Sequence, residues 1–198
     1  LLLGVASVKA VYSPSIVRLR PSRTYVMAFG VSIYCQKGTV ARDSIALATS
    51  ANGTTWSFLK YIVEPDPRTC TEPLEKWINS TGMSNQVNDP DALQDGDMLR
   101  IVYTSVMTPM HCANLGLVSL RVADLSVVSR NDRYAVPTSE QCVAPYGAGQ
   151  TGFSRPTWLC TLPGNTARDT AQCDSTAIWF DNSGAVGSIG VNSLSSLN

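Results

Sequence analysis

Three polar residue pairs, each followed directly by a proline, are the candidates for chemistry in this sequence. These funnel residues are Tyr12 and Ser13 before Pro14, Asn88 and Asp89 before Pro90, and Ser154 and Arg155 before Pro156. Together they offer a carboxylate, a guanidinium, hydroxyls, an amide and a phenol, a set that suits hydrogen bonding to sugar hydroxyls or to an anionic sugar. The alternative interpretation is structural, with an Asp89–Arg155 ion pair closing adjacent repeats.

The prolines belong to a repeat that must position these residues. They lie 90 − 14 = 76 and 156 − 90 = 66 residues apart, and each is followed by an apolar, aromatic segment and then by a third segment. The third segments span residues 44–49, 114–119 and 188–193. Turn signals at residues 20–22 and 95–97 separate the first two segments of their units, and Asn52-Gly53 after the third segment predicts a hairpin into a fourth strand. Four short antiparallel strands per unit are typical of a β-propeller blade, and a β-sandwich is the alternative.

The predicted fold is all-β, with propeller-like repeats of four-stranded antiparallel blades in one domain over residues 1–198. The blades are placed at about 11–66, 86–137 and 153–198. Because the innermost strands of a propeller line its channel, the funnel residues are expected to converge there. The chain holds about 2.7 blades, whereas closed propellers have 4 to 8. A fragment of a longer chain is favoured, and closure by further copies or a head-to-tail filament through open blades is the alternative.

Composition excludes several classes of function. Charged residues make up 15% of the chain, and the formal net charge is zero. Nucleic-acid binding requires a basic face, so no nucleic-acid partner is expected. There is neither a polybasic segment nor an apolar run of 18 residues, so no membrane partner is expected. No cofactor is implied, and a single histidine without a CxxC pair argues against a zinc site.

Six cysteines and two glycosylation sequons favour a secreted, extracellular protein. The sequons begin at Asn52 and Asn79. The cysteines follow the repeat, which predicts the disulfides Cys35–Cys70, Cys112–Cys142 and Cys160–Cys173. The opening segment, residues 1–10, resembles the end of a signal peptide, but an ordered strand is the preferred interpretation. The strand tryptophans Trp56, Trp158 and Trp179 are interpreted as core between blades.

The pattern of residues 13–56 resembles the first blade of the five-bladed propeller glycoside hydrolases of the arabinanase and invertase type, families 43, 32 and 62. Asn88-Asp89-Pro90-Asp91 resembles their second blade, and Ser154-Arg155-Pro156 resembles their third. The resemblance implies catalytic carboxylates at the funnel: an Asp from blade 1, an Asp from blade 2 and a Glu from blade 3. Only Asp89 matches, because Ser13 and Ser154-Arg155 occupy the other two places.

Glycoside hydrolysis requires two carboxyl groups beside the scissile bond, so the usual set is absent here. The first hypothesis is therefore a non-catalytic carbohydrate-binding, structural or adhesive propeller. The second is an active hydrolase with rearranged acids, Asp89 and Asp43, or with a site completed by missing blades. Asp43 is otherwise interpreted as a solvated hairpin residue. The third hypothesis is a self-associating filament subunit.

Overall fold

The computed structural model describes residues 8–34, 41–65, 86–107, 112–135, 151–161, 172–182 and 188–193, and every regular element in these ranges is a β-strand. The first four are β1 (Val8–Arg18), β2 (Tyr25–Tyr34), β3 (Ala41–Ser50) and β4 (Ser57–Val63). The next four are β5 (Gln86–Asp95), β6 (Met98–Met107), β7 (Cys112–Arg121) and β8 (Val127–Ala135). The last three are β9 (Thr151–Thr161), β10 (Gln172–Asn182) and β11 (Ser188–Ser193).

The strands pair in sequence order, which is the arrangement of propeller blades. Strands β1 to β4 form one antiparallel sheet, called blade 1, and β5 to β8 form a second, blade 2. Blade 3 contains β9, β10 and β11, and it joins blade 2 through two parallel residue pairs between β7 and β9. The predicted all-β class with four-stranded antiparallel repeats is confirmed.

The register shows the same repeat at the level of single residues. In each blade, one residue of the second strand pairs both with the first of the two funnel residues and with the apolar residue of the third strand. The three sets are Tyr12–Gly30–Ile45, Asn88–Thr104–Leu115 and Ser154–Asp181–Ile189. The funnel residues therefore occupy equivalent positions in the three blades.

Apolar faces of neighbouring blades form the core. Val26 and Ile45 of blade 1 pack in one cluster with Leu99, Ile101 and Tyr103 of blade 2. A second cluster joins blades 2 and 3 and contains Val102, Leu115, Trp158 and Ile178. The expectation that Trp158 lies in the core between blades is confirmed, whereas the side chain of Trp179 lies outside the described part of the structure.

The opposite face of blade 1 is also apolar. Successive strand residues point to opposite faces, so Met27 and Phe29 lie on the far side from Val26. A row of paired residues crosses all four strands on this side, running Ile16–Met27–Ala48–Phe58. The ends of this apolar row are open to solvent, because Ile16 is 47% exposed and Phe58 is 59% exposed.

The turn between β3 and β4 confirms the hairpin signal at Asn52-Gly53. Gly53 has a φ of +76°, a conformation in which a Cβ is strained. Asn52 Oδ1 accepts hydrogen bonds from the backbone N–H groups of Thr54 and Thr55, both at 2.9 Å. Asn52 is exposed in this turn, and its glycosylation stays a prediction. Asn79 lies outside the described residues.

Backbone register supports one predicted disulfide. Cys160 of β9 and Cys173 of β10 are direct cross-strand partners. Cα atoms of such partners are about 4.5–5.5 Å apart, within the range that a disulfide spans. We therefore expect peptide mapping without reductant to recover a peptide pair linked through Cys160 and Cys173. Linkage of either cysteine to another position would contradict this pairing, and Cys35, Cys70 and Cys142 lie outside the described residues.

Candidate functional site

The second funnel residue of each blade adopts a strained backbone. Ser13, Asp89 and Arg155 have φ values of 48°, 49° and 48°, in the left-handed region that non-glycine residues rarely occupy. In β1 and β5 the register breaks at these residues, between Tyr12 and Ser15 and between Asn88 and Asp91. Such residues cost about 1–3 kcal/mol each and concentrate at functional sites. Three equivalent strained positions, none of them glycine, mark a candidate site.

Blades 1 and 2 meet at this site through side chains. Ser13 Oγ donates a hydrogen bond to Asp89 Oδ1 at 2.7 Å. The Arg155 backbone N–H donates to Thr104 Oγ1 at 3.0 Å, which attaches the blade-3 position to blade 2. Within the described ranges, Asp89 and Arg155 form no ion pair with each other. The structural alternative for these two residues is therefore wrong, and the guanidinium of Arg155 is exposed.

Tyr12 lies beside two carboxylates. Its ring covers the backbone of its cross-strand partner Gly30, where a Cβ would overlap Cε2 of the ring. Burial, followed by the charges of Asp43 and Asp89, raises the pKa of Tyr12 well above its usual value. The hydroxyl therefore stays protonated at neutral pH. It is buried close to the Asp43 carboxylate, although it makes no hydrogen bond of good geometry within the described ranges.

The interpretation of Asp43 as a solvated hairpin residue is wrong. Asp43 lies inside β3, pairs with Ser32 and is half-buried. The strand starts at Ala41, and Arg42 forms an ion pair with Glu64 at 3.3 Å. Because the charge of Asp43 acts on Tyr12, Asp43 belongs to the same group as Tyr12, Ser13 and Asp89.

The structure describes the side chain of Asn88 but only the backbone of Ser154, the two remaining funnel residues. Asn88 is half-buried, and its Oδ1 has no hydrogen-bond partner among the described residues. A buried unpaired oxygen is costly, so this atom offers an acceptor to a polar ligand or a water. Ser154 is placed only by its backbone, opposite Asp181.

The site offers acceptors and donors for a neutral polyol. Two carboxylates, a protonated phenol and a hydroxyl come from blades 1 and 2, and an exposed guanidinium comes from blade 3.

Among the described residues, no group of three His, Cys, Asp or Glu side chains is arranged to hold a metal ion. The same part of the chain contains no helix long and apolar enough to span a membrane.

A strain test follows from the φ of Arg155. Glycine adopts this φ without the steric cost that a Cβ imposes, whereas alanine keeps that cost. We expect Arg155→Gly to be more stable than Arg155→Ala by about 1 kcal/mol, measured as the free energy of unfolding in urea. Both variants lose the guanidinium, so the comparison isolates the backbone. An alanine variant as stable as the glycine variant would show that the position is unstrained.

Solved structures similar to this chain are propeller enzymes that act on carbohydrates. β-1,2-Mannobiose phosphorylase from Listeria innocua, in complex with β-1,2-mannobiose, matches with a TM-score of 0.56 and 12% identity over 96% of this chain and 46% of that one. A glycosyl hydrolase from Bacteroides ovatus matches with a TM-score of 0.51 and 13% identity over 86% and 43%. A family 117 glycoside hydrolase from Zobellia galactanivorans matches with a TM-score of 0.50 and 12% identity over 89% and 48%.

These similarities establish the fold. No protein-family model matches the chain, and no curated protein matches it in sequence. The chain has the propeller fold of glycoside hydrolases, and the resemblance seen in the sequence is confirmed at that level. It spans 43% to 48% of the length of the three structures.

Proposed function

We propose that this chain is the carbohydrate-binding part of a secreted, glycosidase-like propeller, and that it binds without hydrolysis. The observation that carries the proposal is the set of three strained funnel positions, one in each blade, whose side chains are Ser13, Asp89 and Arg155. Strained positions of this kind cluster at active sites and ligand-binding sites. Six cysteines and the exposed sequon at Asn52 support secretion.

The chemistry of the residues suits a sugar. A carboxylate such as Asp89 accepts hydrogen bonds from ligand hydroxyls, and these charge-assisted bonds are stronger than neutral ones. Arg155 adds donors for ring and hydroxyl oxygens or for an anionic sugar. The proposed ligand therefore contacts at least two blades.

A glycan microarray tests this proposal directly. The chain is applied to plant and microbial oligosaccharides, with β-1,2-mannobiose included because a similar structure binds it. We expect saturable binding to one structural class of oligosaccharide. If no glycan is bound by the folded chain, carbohydrate binding by these blades is refuted.

Hydrolysis is the second candidate, and the position of Asp43 favours it. Asp43 and Asp89 both act on the Tyr12 hydroxyl, so two carboxylates share one region of the site. A glycosidase mechanism needs such a pair as acid and as base or nucleophile. Turnover of aryl glycosides that is abolished by both Asp43→Asn and Asp89→Asn would establish it. Residues from missing blades would then complete the site.

Self-association is the third candidate, and it rests on the apolar row of blade 1. The exposed ends at Ile16 and Phe58 present apolar surface that a further blade or a second copy covers. Light scattering without reductant distinguishes the cases. A concentration-dependent oligomer that becomes a monomer on Phe58→Asp supports self-association, and a monomer at all concentrations refutes it for the 198-residue chain.

A further inference from the structure

The carboxylate of Asp91 connects the inner strands of three blades. Its Oδ1 accepts a hydrogen bond from Ser15 Oγ of blade 1 at 2.6 Å. Its Oδ2 accepts hydrogen bonds from blade 3, from Thr157 Oγ1 at 2.7 Å and from the Trp158 backbone N–H at 2.9 Å. Hydrogen bonds to an ionised acceptor are the strong class in proteins. One side chain of blade 2 thus holds both of its neighbours.

The bonded residues occupy the same place in the repeat. Ser15, Asp91 and Thr157 each follow the proline that comes after a strained funnel residue. The ring of that proline fixes φ, so little backbone freedom separates each bonded residue from the funnel residue before it. Fixing these three residues relative to one another therefore fixes the spacing of Ser13, Asp89 and Arg155.

Backbone groups strengthen the same junction. The Ala92 N–H donates to Ser15 Oγ at 3.0 Å, and Trp158 Nε1 donates to the Asp91 carbonyl at 3.1 Å. Trp158 is buried between blades 2 and 3, which keeps the indole in place. A strained φ persists only where surrounding contacts enforce it. The bonds around Asp91 supply such contacts for all three funnel positions.

From this arrangement we propose that Asp91 is a positioning residue of the carbohydrate site. Its carboxylate binds no ligand; it holds the three inner strands so that Ser13, Asp89 and Arg155 meet a sugar at a fixed spacing. This inference rests on the proposed function of the funnel. It extends that proposal by naming the group on which the geometry of the site depends.

Two variants remove parts of the junction, and two more serve as controls. Asp91→Asn keeps the shape and removes the charge, and Thr157→Val removes one donor from an exposed strand position that tolerates valine. Thr157→Ser restores the donor. Lys60→Met removes a different contact between blades 1 and 2, the 2.6 Å hydrogen bond from Lys60 Nζ to the Leu125 carbonyl.

Amide hydrogen exchange without ligand measures positioning. In Asp91→Asn and Thr157→Val we expect the amides of Ala92, Arg155 and Trp158 to exchange at least about tenfold faster, because the junction holds together the strand segments that carry these amides. The centres of β3 and β7 should exchange at wild-type rates. Thr157→Ser and Lys60→Met should leave the three amides unchanged. Unchanged exchange, or a uniform increase across the chain, would overturn the proposal; Thr157→Val keeps the test valid if Asp91→Asn does not fold.

Binding to the glycan microarray then links position to function. We expect the two junction variants to lose at least about tenfold in binding to the glycans that the wild-type chain binds, as for the loss of a charge-assisted hydrogen bond. Lys60→Met should bind as the wild type does, provided that the two proteins unfold at the same urea concentration. Full binding by Asp91→Asn would overturn the positioning role. A wild-type chain that binds no glycan refutes the proposed function alone, since the exchange result does not depend on ligand.

Discussion

Asp89→Asn is expected to weaken oligosaccharide binding by about 10- to 100-fold, because a charged acceptor becomes a neutral one at the centre of the site. The amide keeps an oxygen for Ser13 Oγ, which donates to Asp89 Oδ1 in the wild type. The free energy of unfolding should therefore change by less than about 1 kcal/mol. Isothermal titration calorimetry with the glycan bound most strongly on the microarray measures the affinity, and urea unfolding measures the stability.

Asp97→Asn is the matched control for this prediction. Asp97 is exposed in the turn between β5 and β6, on the same blade and with the same chemistry. We expect it to bind as the wild type does. An equal loss in both variants would indicate a general charge effect, and no loss in Asp89→Asn would remove Asp89 from the site.

Gly116→Ala is expected to reduce the free energy of unfolding by about 3 kcal/mol, through overpacking and a lost hydrogen bond. Gly116 pairs directly with Tyr103, and a Cβ would overlap Cε2 of that fully buried ring. The Tyr103 hydroxyl donates to Asp132, which also accepts two hydrogen bonds from Arg130, both at 2.7 Å. Arg130 in turn donates to the Glu64 carbonyl of blade 1 at 2.9 Å. Moving the ring therefore disturbs the contact between blades 1 and 2.

Gly96→Ala distinguishes this clash from the general cost of replacing glycine. Gly96 has a φ of +59° but no atom within 4 Å of an added Cβ. Its replacement should cost about 1 kcal/mol, the cost of backbone strain alone. Urea unfolding of both variants gives the comparison. A Gly116→Ala variant no less stable than Gly96→Ala would show that the Tyr103 ring moves aside freely.

Repetition made much of the fold predictable from the sequence. The recurring segments at Ile45, Leu115 and Ile189 are register equivalents in the structure, because each lies in the third strand opposite the same position of the second. In every blade the strained residue, Ser13, Asp89 or Arg155, comes directly before a proline. Sequence periodicity predicts such local geometry, because this geometry is determined within a single strand or hairpin.

The parts that the sequence did not predict depend on contacts between blades. Asp91 bonds to Ser15 and Thr157, which are 76 and 66 residues away, and its own position carries no local signal. Asp43 resembled a turn residue because polar residues are uncommon inside a half-buried strand. Its place beside Tyr12 becomes evident only when β1 and β3 pair with the two edges of β2.

Hydrogen exchange of the wild-type chain with and without its bound glycan tests the central claim most directly. The glycan is the one that binds most strongly on the microarray, and β-1,2-mannobiose serves as a second probe. The account predicts protection of residues 12–15, 88–92 and 155–158, one inner-strand segment from each blade, with the apolar row of blade 1 unaffected. Protection confined to the apolar row, or to a single blade, would contradict a site formed where the three inner strands converge.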